Sequence, residues 1–289
     1  MSLTALYDVA APAKLNLFLH ITGRRDDGYH LLQSVFVPID WADTLHFELR
    51  RDGQLARHDL SAALPADDLC LRAARALQAA SGTTLGADIS VDKQVPWGAG
   101  MGGGSSDAAS TLLALNRLWQ LGWPRDKLMA LGLTLGADVP FFLGSGSAWV
   151  EGIGEKLTPL ALPAQWFAVV KPAASIETRG IFLSPLLVRN TDAAILAGFL
   201  EDGGVQRLEA GFGRNDLQPP AESQCPDVAQ AARLLEARFG NSRMTGSGSA
   251  VFARAGTDDT PTATMPPDLP VGWVGRMCRS LVQHPLRDW

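Results

Sequence analysis

A glycine-rich segment at residues 96–106 is the feature that most constrains what this chain can fold into. Five of the seven residues from Gly98 to Gly104 are glycine, and the run Ser-Ser-Asp follows them. The pattern of residues 89–95 predicts a strand before the segment, and that of 106–120 predicts a helix after it. A helix N-terminus capped by the Ser-Ser-Asp run would direct backbone N–H groups and a positive dipole at one point. The segment is therefore predicted to bind a phosphate chain.

Several known phosphate-binding patterns compete for this segment. GAGMGG at 98–103 satisfies GxGxxG, but a dinucleotide site needs an acidic residue about 20 positions further on, where this chain has Leu-Trp-Gln. A Walker A loop needs a lysine that the segment lacks, and neither HRD nor DFG follows as in protein kinases. A merely flexible loop is the remaining alternative. A phosphate cradle of another type agrees best with the flanking strand and helix.

The charge, the cysteine content and the hydropathy of the chain exclude several classes of protein. With 25 basic and 30 acidic residues the net charge is −5, which argues against partners such as nucleic acid or an anionic membrane. The cysteines Cys70, Cys225 and Cys278 are too scattered for a metal or disulfide framework, so we expect reduced thiols. The N-terminus makes a poor signal peptide, and no apolar run is long enough to span a bilayer. We therefore expect a soluble cytoplasmic protein.

The order of the predicted elements favours an α+β fold over a doubly wound sheet. Strands and helices alternate without a strict βαβ rhythm, and the pattern restarts near residue 160. Strands are predicted at 15–21, 32–39, 45–51, 89–95, 166–172 and 246–253, helices at 67–80, 106–120, 125–135, 191–201 and 226–239, and surface loops at 202–225 and 254–270. The predicted domains are residues 1–160 and 161–289.

Two further clusters carry polar groups in apolar surroundings. Lys14 and Asn16, two apart on a predicted strand, point to one face and suggest a site, although a half-exposed edge strand fits equally well. Asp138 is the one carboxylate in GADVPFF at 136–142 and could cap a helix or act as a general base. A second glycine loop, MTGSGSA at 244–250, runs into a strand.

Taken together, these clusters resemble the GHMP kinases, a family of small-molecule kinases. PAKLNL at 12–17, PWGAGMGGGSSDAA at 96–109 and TGSGSAVFA at 245–253 are similar to the first, second and third motifs of the family. The resemblance covers residues 9–255. It implies an N-terminal ATP-binding domain like ribosomal protein S5 domain 2, and a C-terminal ferredoxin-like α/β sandwich. The active site would lie in the cleft between them.

The resemblance also implies a reaction, in which ATP gives its γ-phosphoryl group to an alcohol. Asp138 would be the general base and Lys14 its close partner. ATP would arrive with Mg²⁺, which Ser106 would contact, without a dedicated metal site or a tightly bound cofactor. The implied ATP-binding residues are Lys93, Pro96, Trp97, Gly98, Ala99, Gly100, Met101, Gly102, Gly103, Gly104, Ser105 and Ser106.

A narrower resemblance concerns GRRDDGYHLLQS at 23–34 together with GADVPFF. It points to the branch of the family that phosphorylates the 2-hydroxyl of a cytidine-diphosphate-linked methylerythritol in the non-mevalonate isoprenoid pathway. Tyr29 and His30 would hold the cytosine, with Phe182 as a second stacking face, and Asn16 and Thr178 would also contact the substrate.

Two alternatives and two details stay open. A homoserine or mevalonate type of GHMP kinase, or a non-catalytic nucleotide or sugar sensor, would have the same fold. Asp68 stands where the family pattern leads us to expect asparagine, so a contact of this position with adenine stays open. The protein would be a monomer or a homodimer.

Overall fold

Two long strands organise the first sheet of the structure, a computed structural model that describes residues 3–61 and 63–289. β1 (Ala5–Arg24) and β2 (His30–Arg50) form an antiparallel hairpin around the polar turn that the sequence predicts. β1 follows one edge of β2, and β4 (Gly86–Asp92) and β5 (Ala148–Glu151) pair with different parts of the other edge. β3 (Leu55–Asp59) lies parallel to β4, and β6 (Lys156–Pro159) pairs with β5. Every strand of the sheet is thereby joined to the hairpin.

Four helices belong to this half of the chain: α1 (Leu69–Ser81), α2 (Gly103–Leu118), α3 (Arg125–Leu133) and α4 (Val139–Phe142). The Asp68 carboxylate caps α1 by accepting a hydrogen bond from Leu71 N at 3.1 Å, and Gly82 ends the helix in the left-handed conformation. Small and leucine side chains of α1 and α2 share a core with the apolar faces of β2 and β4. This packing fixes the N-terminus of α2, where the glycine-rich segment ends.

A second, antiparallel sheet follows in the order β10-β7-β9-β8. It comprises β7 (Trp166–Lys171), β8 (Arg243–Met244), β9 (Val251–Arg254) and β10 (Val274–Arg279). The accompanying helices are α5 (Thr178–Leu183), α6 (Leu196–Glu201), α7 (Gly204–Glu209), α8 (Gln218–Gln224) and α9 (Pro226–Phe239). Leu15, Phe18 and Trp149 share one core with Phe167 and Phe252, so the two sheets are packed together through β1.

The mixture of strands and helices confirms the predicted α+β class, but several predicted bounds are wrong. α2 begins at Gly103 with Gly102 at its N-cap, so the Ser-Ser-Asp run lies inside the helix and does not cap it. Gly102 can end the preceding turn at a φ of 71°, which lets the helix start earlier. The strand predicted at 45–51 is the end of the continuous β2.

The C-terminal half also differs from the sequence prediction. The segment 202–225, predicted as a surface loop, contains α7 and α8. Both helices are stabilised because their short apolar faces pack against other elements, and neither has a strong hydrophobic periodicity of its own. The strand predicted at 246–253 begins at Val251, since 246–250 forms a turn. The boundary predicted near residue 160 falls between β6 and β7 and stays a prediction.

Cys70, Cys225 and Cys278 are buried and free. Among the described residues, no helix combines the length and apolarity needed to cross a membrane.

Candidate active site

The glycine-rich segment connects β4 to α2 and folds into a tight series of turns. Gly98, Gly100 and Gly102 have φ values of 63°, 74° and 71°, which side-chain-bearing residues rarely adopt. A Cβ on Gly100 would lie 2.6 Å from Gly248 N, so only glycine fits this position. The alternation of glycines is therefore required by backbone conformation and by close approach of another segment.

That other segment is the second glycine loop at 244–250. Ala250 N donates to Ala99 O at 3.2 Å, and Ser249 N donates to Gly98 O at 3.4 Å. Gly246 has a φ of 57°, which again requires glycine. The two glycine loops thus form one unit, although residues 107–243 separate them in the chain.

The N-terminus of α2 opens onto a cleft of about 310 Å³. Its N-cap Gly102 offers no side chain, and the first helical N–H groups have no intrahelical partner. These free donors and the positive end of the dipole make this cleft suitable for phosphate groups. Of the predicted ATP-binding residues, the cleft is lined by Lys93, Pro96, Trp97, Gly98, Ala99, Gly100, Met101, Gly102, Gly103, Gly104 and Ser105.

Lys93 lines this cleft, but its ammonium group is already paired. Nζ donates to Asp107 Oδ2 at 2.6 Å and forms a second, shorter contact with Asp43. Asp43 in turn accepts hydrogen bonds from Gln94 N and Val95 N at 2.6 and 2.8 Å. The Lys93 charge therefore joins the start of the glycine segment to α2, and contact of Lys93 with nucleotide stays a prediction.

Ser106 is the one predicted ATP-binding residue that does not line the cleft. Its side chain is fully buried, and its N–H donates to Gly102 O at 2.9 Å. The reason is the early start of α2, which turns position 106 towards the protein interior. The Oγ of Ser106 is buried and has no hydrogen-bond partner among the described residues, and its contact with Mg²⁺ stays a prediction.

Lys14 and Asp138 meet beside the glycine segment. Lys14 Nζ lies 3.6 Å from Asp138 Oδ2, and the backbone N–H of Lys14 donates to Met101 O at 2.9 Å. Burial lowers the pKa of Lys14, and the charge of Asp138 opposes that shift. Asp138 stands at the N-cap position of the short α4 but makes no capping hydrogen bond with its side chain. The geometry therefore favours a role for Asp138 as a general base over a role as a helix cap.

Asn16 lies next to Lys14 on β1, as the alternation of the strand predicts. Its Oδ1 accepts a hydrogen bond from Lys14 Nζ at 2.6 Å, and its Nδ2 donates to Ser34 Oγ at 3.1 Å. Its backbone N–H donates to Thr245 Oγ1 at 2.9 Å, which links the first motif to the third. Both side chains are buried, so the alternative of a half-exposed edge strand is wrong.

A smaller cavity of about 170 Å³ joins these groups. Lys14, Asn16, Gly100, Gly102 and Asp138 line it together with Gly246 and Phe182. Gly100 and Gly102 also line the cleft of about 310 Å³ at the N-terminus of α2 (the phosphate cleft), and Phe182 also lines a larger cavity. The paired lysine and carboxylate therefore stand between two binding clefts.

The larger cavity has a volume of about 890 Å³ and contains Tyr29, His30 and Phe182. Tyr29 is 60% exposed, so its ring is available to a ligand. The rings of His30 and Phe182 stack with centroids 4.8 Å apart. Three cationic side chains, those of Arg24, Arg179 and Arg189, line the same cavity. An aromatic, cationic cavity can hold a planar base attached to phosphate groups.

The remaining predicted residues lie near the site in different ways. Thr178 Oγ1 is 2.9 Å from Ser247 Oγ, which places Thr178 at the edge of the small cavity. Asp68 caps α1 and forms an ion pair with Arg57 at 2.7 Å, so both of its functions are structural.

Sequence reasoning missed the three arginines of the large cavity, because isolated arginines carry no pattern; only Arg24 could have been found, in the turn before Tyr29.

Within residues 3–61 and 63–289, no three His, Cys, Asp or Glu side chains converge on a point where they could hold a metal ion. Asp138 is the carboxylate that lines the small cavity.

Comparison with known proteins gives two matching family models and close relatives. The model of the GHMP kinases N terminal domain matches residues 68–146, and that of the GHMP kinases C terminal matches residues 196–263. A protein of Methylibium petroleiphilum named 4-diphosphocytidyl-2-C-methyl-D-erythritol kinase is 67% identical, over 100% of this chain and 99% of its own.

Solved structures agree with these matches. A crystal structure of 4-(cytidine 5'-diphospho)-2C-methyl-D-erythritol kinase has a TM-score of 0.72 at 35% identity, covering 87% of this chain and 90% of the other. The homoserine kinase of Cytophaga hutchinsonii has a TM-score of 0.66 at 16% identity, covering 98% and 96%. The second likeness concerns the fold alone.

Proposed function

The chain belongs to the GHMP kinase family, and we propose that it transfers the γ-phosphoryl group of ATP to the 2-hydroxyl of 4-diphosphocytidyl-2-C-methyl-D-erythritol. This reaction is a step of the non-mevalonate isoprenoid pathway. The observation that carries the proposal is the continuity of the site: the small cavity with Lys14 and Asp138 shares glycines with the phosphate cleft and Phe182 with the large cavity.

The phosphate cleft supports ATP as the donor. Backbone N–H groups at the start of α2 would hold the phosphates, and the glycines allow them to approach the backbone closely. Since the Lys93 ammonium is already held by Asp43 and Asp107, neutralisation here depends mainly on amides and the helix dipole. An acidic protein can therefore bind a small polyphosphate without a basic surface.

Asp138 would take the proton of the acceptor hydroxyl. Its side chain is 33% exposed into the cavity, whereas that of Lys14 is 4% exposed. The buried ammonium can stabilise negative charge on the transferring group. Asn16 holds the ammonium from the other side, so both partners are oriented before substrate binds. Positioning and charge neutralisation dominate catalysis in such transfers.

Mg²⁺ is expected to arrive with ATP. Mg²⁺ commonly keeps several waters and takes substrate phosphate oxygens with one or two carboxylates, and the donor set here, the accessible Asp138 carboxylate, fits that mode. When bound, the ion would neutralise charge on the phosphates.

The large cavity supports the cytidine-diphosphate-linked acceptor. Tyr29, His30 and Phe182 offer aromatic faces and a ring hydrogen bond for a base, and the three arginines favour a diphosphate. A homoserine or mevalonate acceptor would leave most of the 890 Å³ without contacts. A non-catalytic sensor would have no need for the Lys14–Asp138 pair, which is fully assembled.

The test is ADP formation with a panel of acceptors. Turnover is expected with 4-diphosphocytidyl-2-C-methyl-D-erythritol and not with homoserine or mevalonate at equal concentration. Tyr29→Ala should raise KM for the acceptor and leave KM for ATP unchanged, because Tyr29 lies in the large cavity alone. Comparable turnover of an acceptor without cytidine would refute the assigned substrate.

We further propose that the chain works in the cytoplasm as a monomer or a homodimer, with domains at 1–160 and 161–289. The gap between the two sheets, from Pro159 to Trp166, supports that division.

A further inference from the structure

The Arg189 guanidinium connects the end of α5 to the ring of His30. Nη2 donates to Phe182 O and Ser184 O at 2.9 and 3.0 Å, and Nη1 donates to Leu187 O at 3.1 Å. Nε donates to His30 Nε2 at 3.3 Å. Because His30 also stacks on the Phe182 ring, the Arg189 side chain contacts both His30 and the backbone of Phe182, two of the three aromatic residues of the large cavity.

The contact with Nε2 determines where the His30 ring carries its proton. A guanidinium has donors only and stays protonated, so the nitrogen facing it must be an acceptor. Neutral imidazole with an unprotonated Nε2 has its hydrogen on Nδ1. Burial lowers the pKa of His30, and the nearby charges of Arg189 and Arg24 act in the same direction, which keeps the ring neutral.

Few charged side chains around His30 could favour a protonated ring over the neutral one. The charged side chains that line the cavity with it are Arg24, Arg179, Arg189 and Asp27. Asp27 Oδ1 accepts a hydrogen bond from Tyr29 N at 3.2 Å, and Oδ2 pairs with Arg25 at 2.7 Å. Within the described residues, Nδ1 of His30 makes no hydrogen bond. The ring therefore has one donor left for a ligand.

We propose that Arg189 is a positioning residue that fixes His30 as an Nδ1–H donor and thereby selects cytosine over uracil in the acceptor. Ring nitrogen N3 of cytosine accepts a hydrogen bond, whereas N3 of uracil carries a hydrogen and would oppose that of His30. A free imidazole could exchange its proton between the two nitrogens and accept from uracil; held by Arg189, it cannot. The inference rests on the proposed function, because it concerns the base of that substrate.

The first test is the nitrogen NMR spectrum of ¹⁵N-histidine-labelled protein without substrate, with His30 assigned by the loss of its signals in His30→Gln. Nε2 is expected to show the shift of an unprotonated nitrogen, and Nδ1 that of a protonated one. The reverse assignment would overturn the proposal. This measurement uses the unmodified chain and needs no turnover, so it separates this inference from the proposed function.

The second test compares kcat/KM for the cytidine-linked acceptor with that for its uridine-linked analogue. The preference for cytidine is expected to fall about tenfold or more in Arg189→Met, the size of one lost hydrogen-bond match. Arg179→Met is the matched control, because it removes a charge from the same cavity without a contact to His30, and should keep the preference. An unchanged preference in Arg189→Met would overturn the proposal.

Arg189→Lys is the control for a general loss of structure in Arg189→Met. Its ammonium can donate to His30 Nε2 but cannot reach three carbonyl groups as well, so KM should rise while the base preference is kept. Loss of the preference with the Nδ1–H form retained would break the link between ring state and selection. If the wild-type chain does not turn over the cytidine-linked acceptor, the proposed function fails, whatever the NMR result.

Discussion

Lys14 Nζ lies 3.6 Å from Asp138 Oδ2, and the lysine is buried while the carboxylate faces the cavity. The same ammonium donates to Asn16 Oδ1 at 2.6 Å and lies 4.5 Å from the centre of the Phe36 ring. A charge held in this way cannot move to solvent, so its influence on Asp138 is constant. The pair is therefore arranged in advance for proton acceptance beside a developing negative charge.

Removal of the Lys14 charge should impair chemistry more than binding. In Lys14→Gln we expect kcat to fall by about 10²–10³, the range for loss of one aligned donor in an active site. The cost of burying this charge offsets the contacts that Lys14 makes with Asp138 and Asn16, so thermal stability should change little. Steady-state kinetics and a melting curve check this, with Lys156→Gln on the exposed β6 as control. An unaltered kcat would contradict a catalytic function of the pair.

The contact between the two glycine loops predicts a steric effect at Gly100. In Gly100→Ala the added carbon would meet Gly248 N, and its φ of 74° is unfavourable for alanine, so the phosphate cleft should be distorted. KM for ATP should rise more than about tenfold. Gly104→Ala is the control: its Cβ would make an ordinary contact of 3.5 Å with Leu69, and alanine suits a helix. Equal KM values for the two variants would contradict this account.

The pair of glycine loops also shows how much the sequence could predict. Local patterns were sufficient for the strand and helix that flank the glycine-rich segment, for the adjacency of Lys14 and Asn16 on a strand, and for most helices. They could not reveal that Asp43 on β2 and Asp107 on α2 both bind Lys93, since those contacts depend on tertiary packing. For the same reason Arg189, an isolated arginine in a loop, gave no signal of its contact with His30.

The cluster of Asp43, Lys93 and Asp107 predicts a dependence of stability on pH. Burial raises the pKa of Asp107 to about 8, with the Lys93 charge opposing the shift. A raised folded-state pKa gives stability that is full below the unfolded value and is lost as pH rises towards 8. The free energy of unfolding should therefore fall as the pH rises from 6 to 8.

Asp107→Asn removes this titration, so its unfolding free energy should fall less over the same interval. Denaturant unfolding at pH 6, 7 and 8 measures both proteins. Parallel pH profiles for wild type and variant would show that Asp107 does not titrate in this range.

His284 predicts the opposite dependence at lower pH. Burial lowers its pKa to about 4, and the charge of Arg125 adds to the shift. A depressed folded-state pKa gives stability that is present above the ordinary value of 6.5 and is lost as pH falls towards 4. His284→Gln should therefore lose less stability than wild type between pH 6.5 and 4.5 in thermal melts. A His284→Gln profile like that of the wild type would contradict the assignment.

The most direct test of the central claim is phosphorylation of 4-diphosphocytidyl-2-C-methyl-D-erythritol by wild type and by Asp138→Asn under the same conditions. The wild type should form ADP only when this acceptor is present, and ³¹P NMR should place the new phosphate on the 2-hydroxyl. Asp138→Asn should lose about 10²–10⁴ in kcat and keep its affinity for ATP, as expected for the loss of a general base. Wild-type turnover in Asp138→Asn would contradict the account, and so would transfer to another hydroxyl.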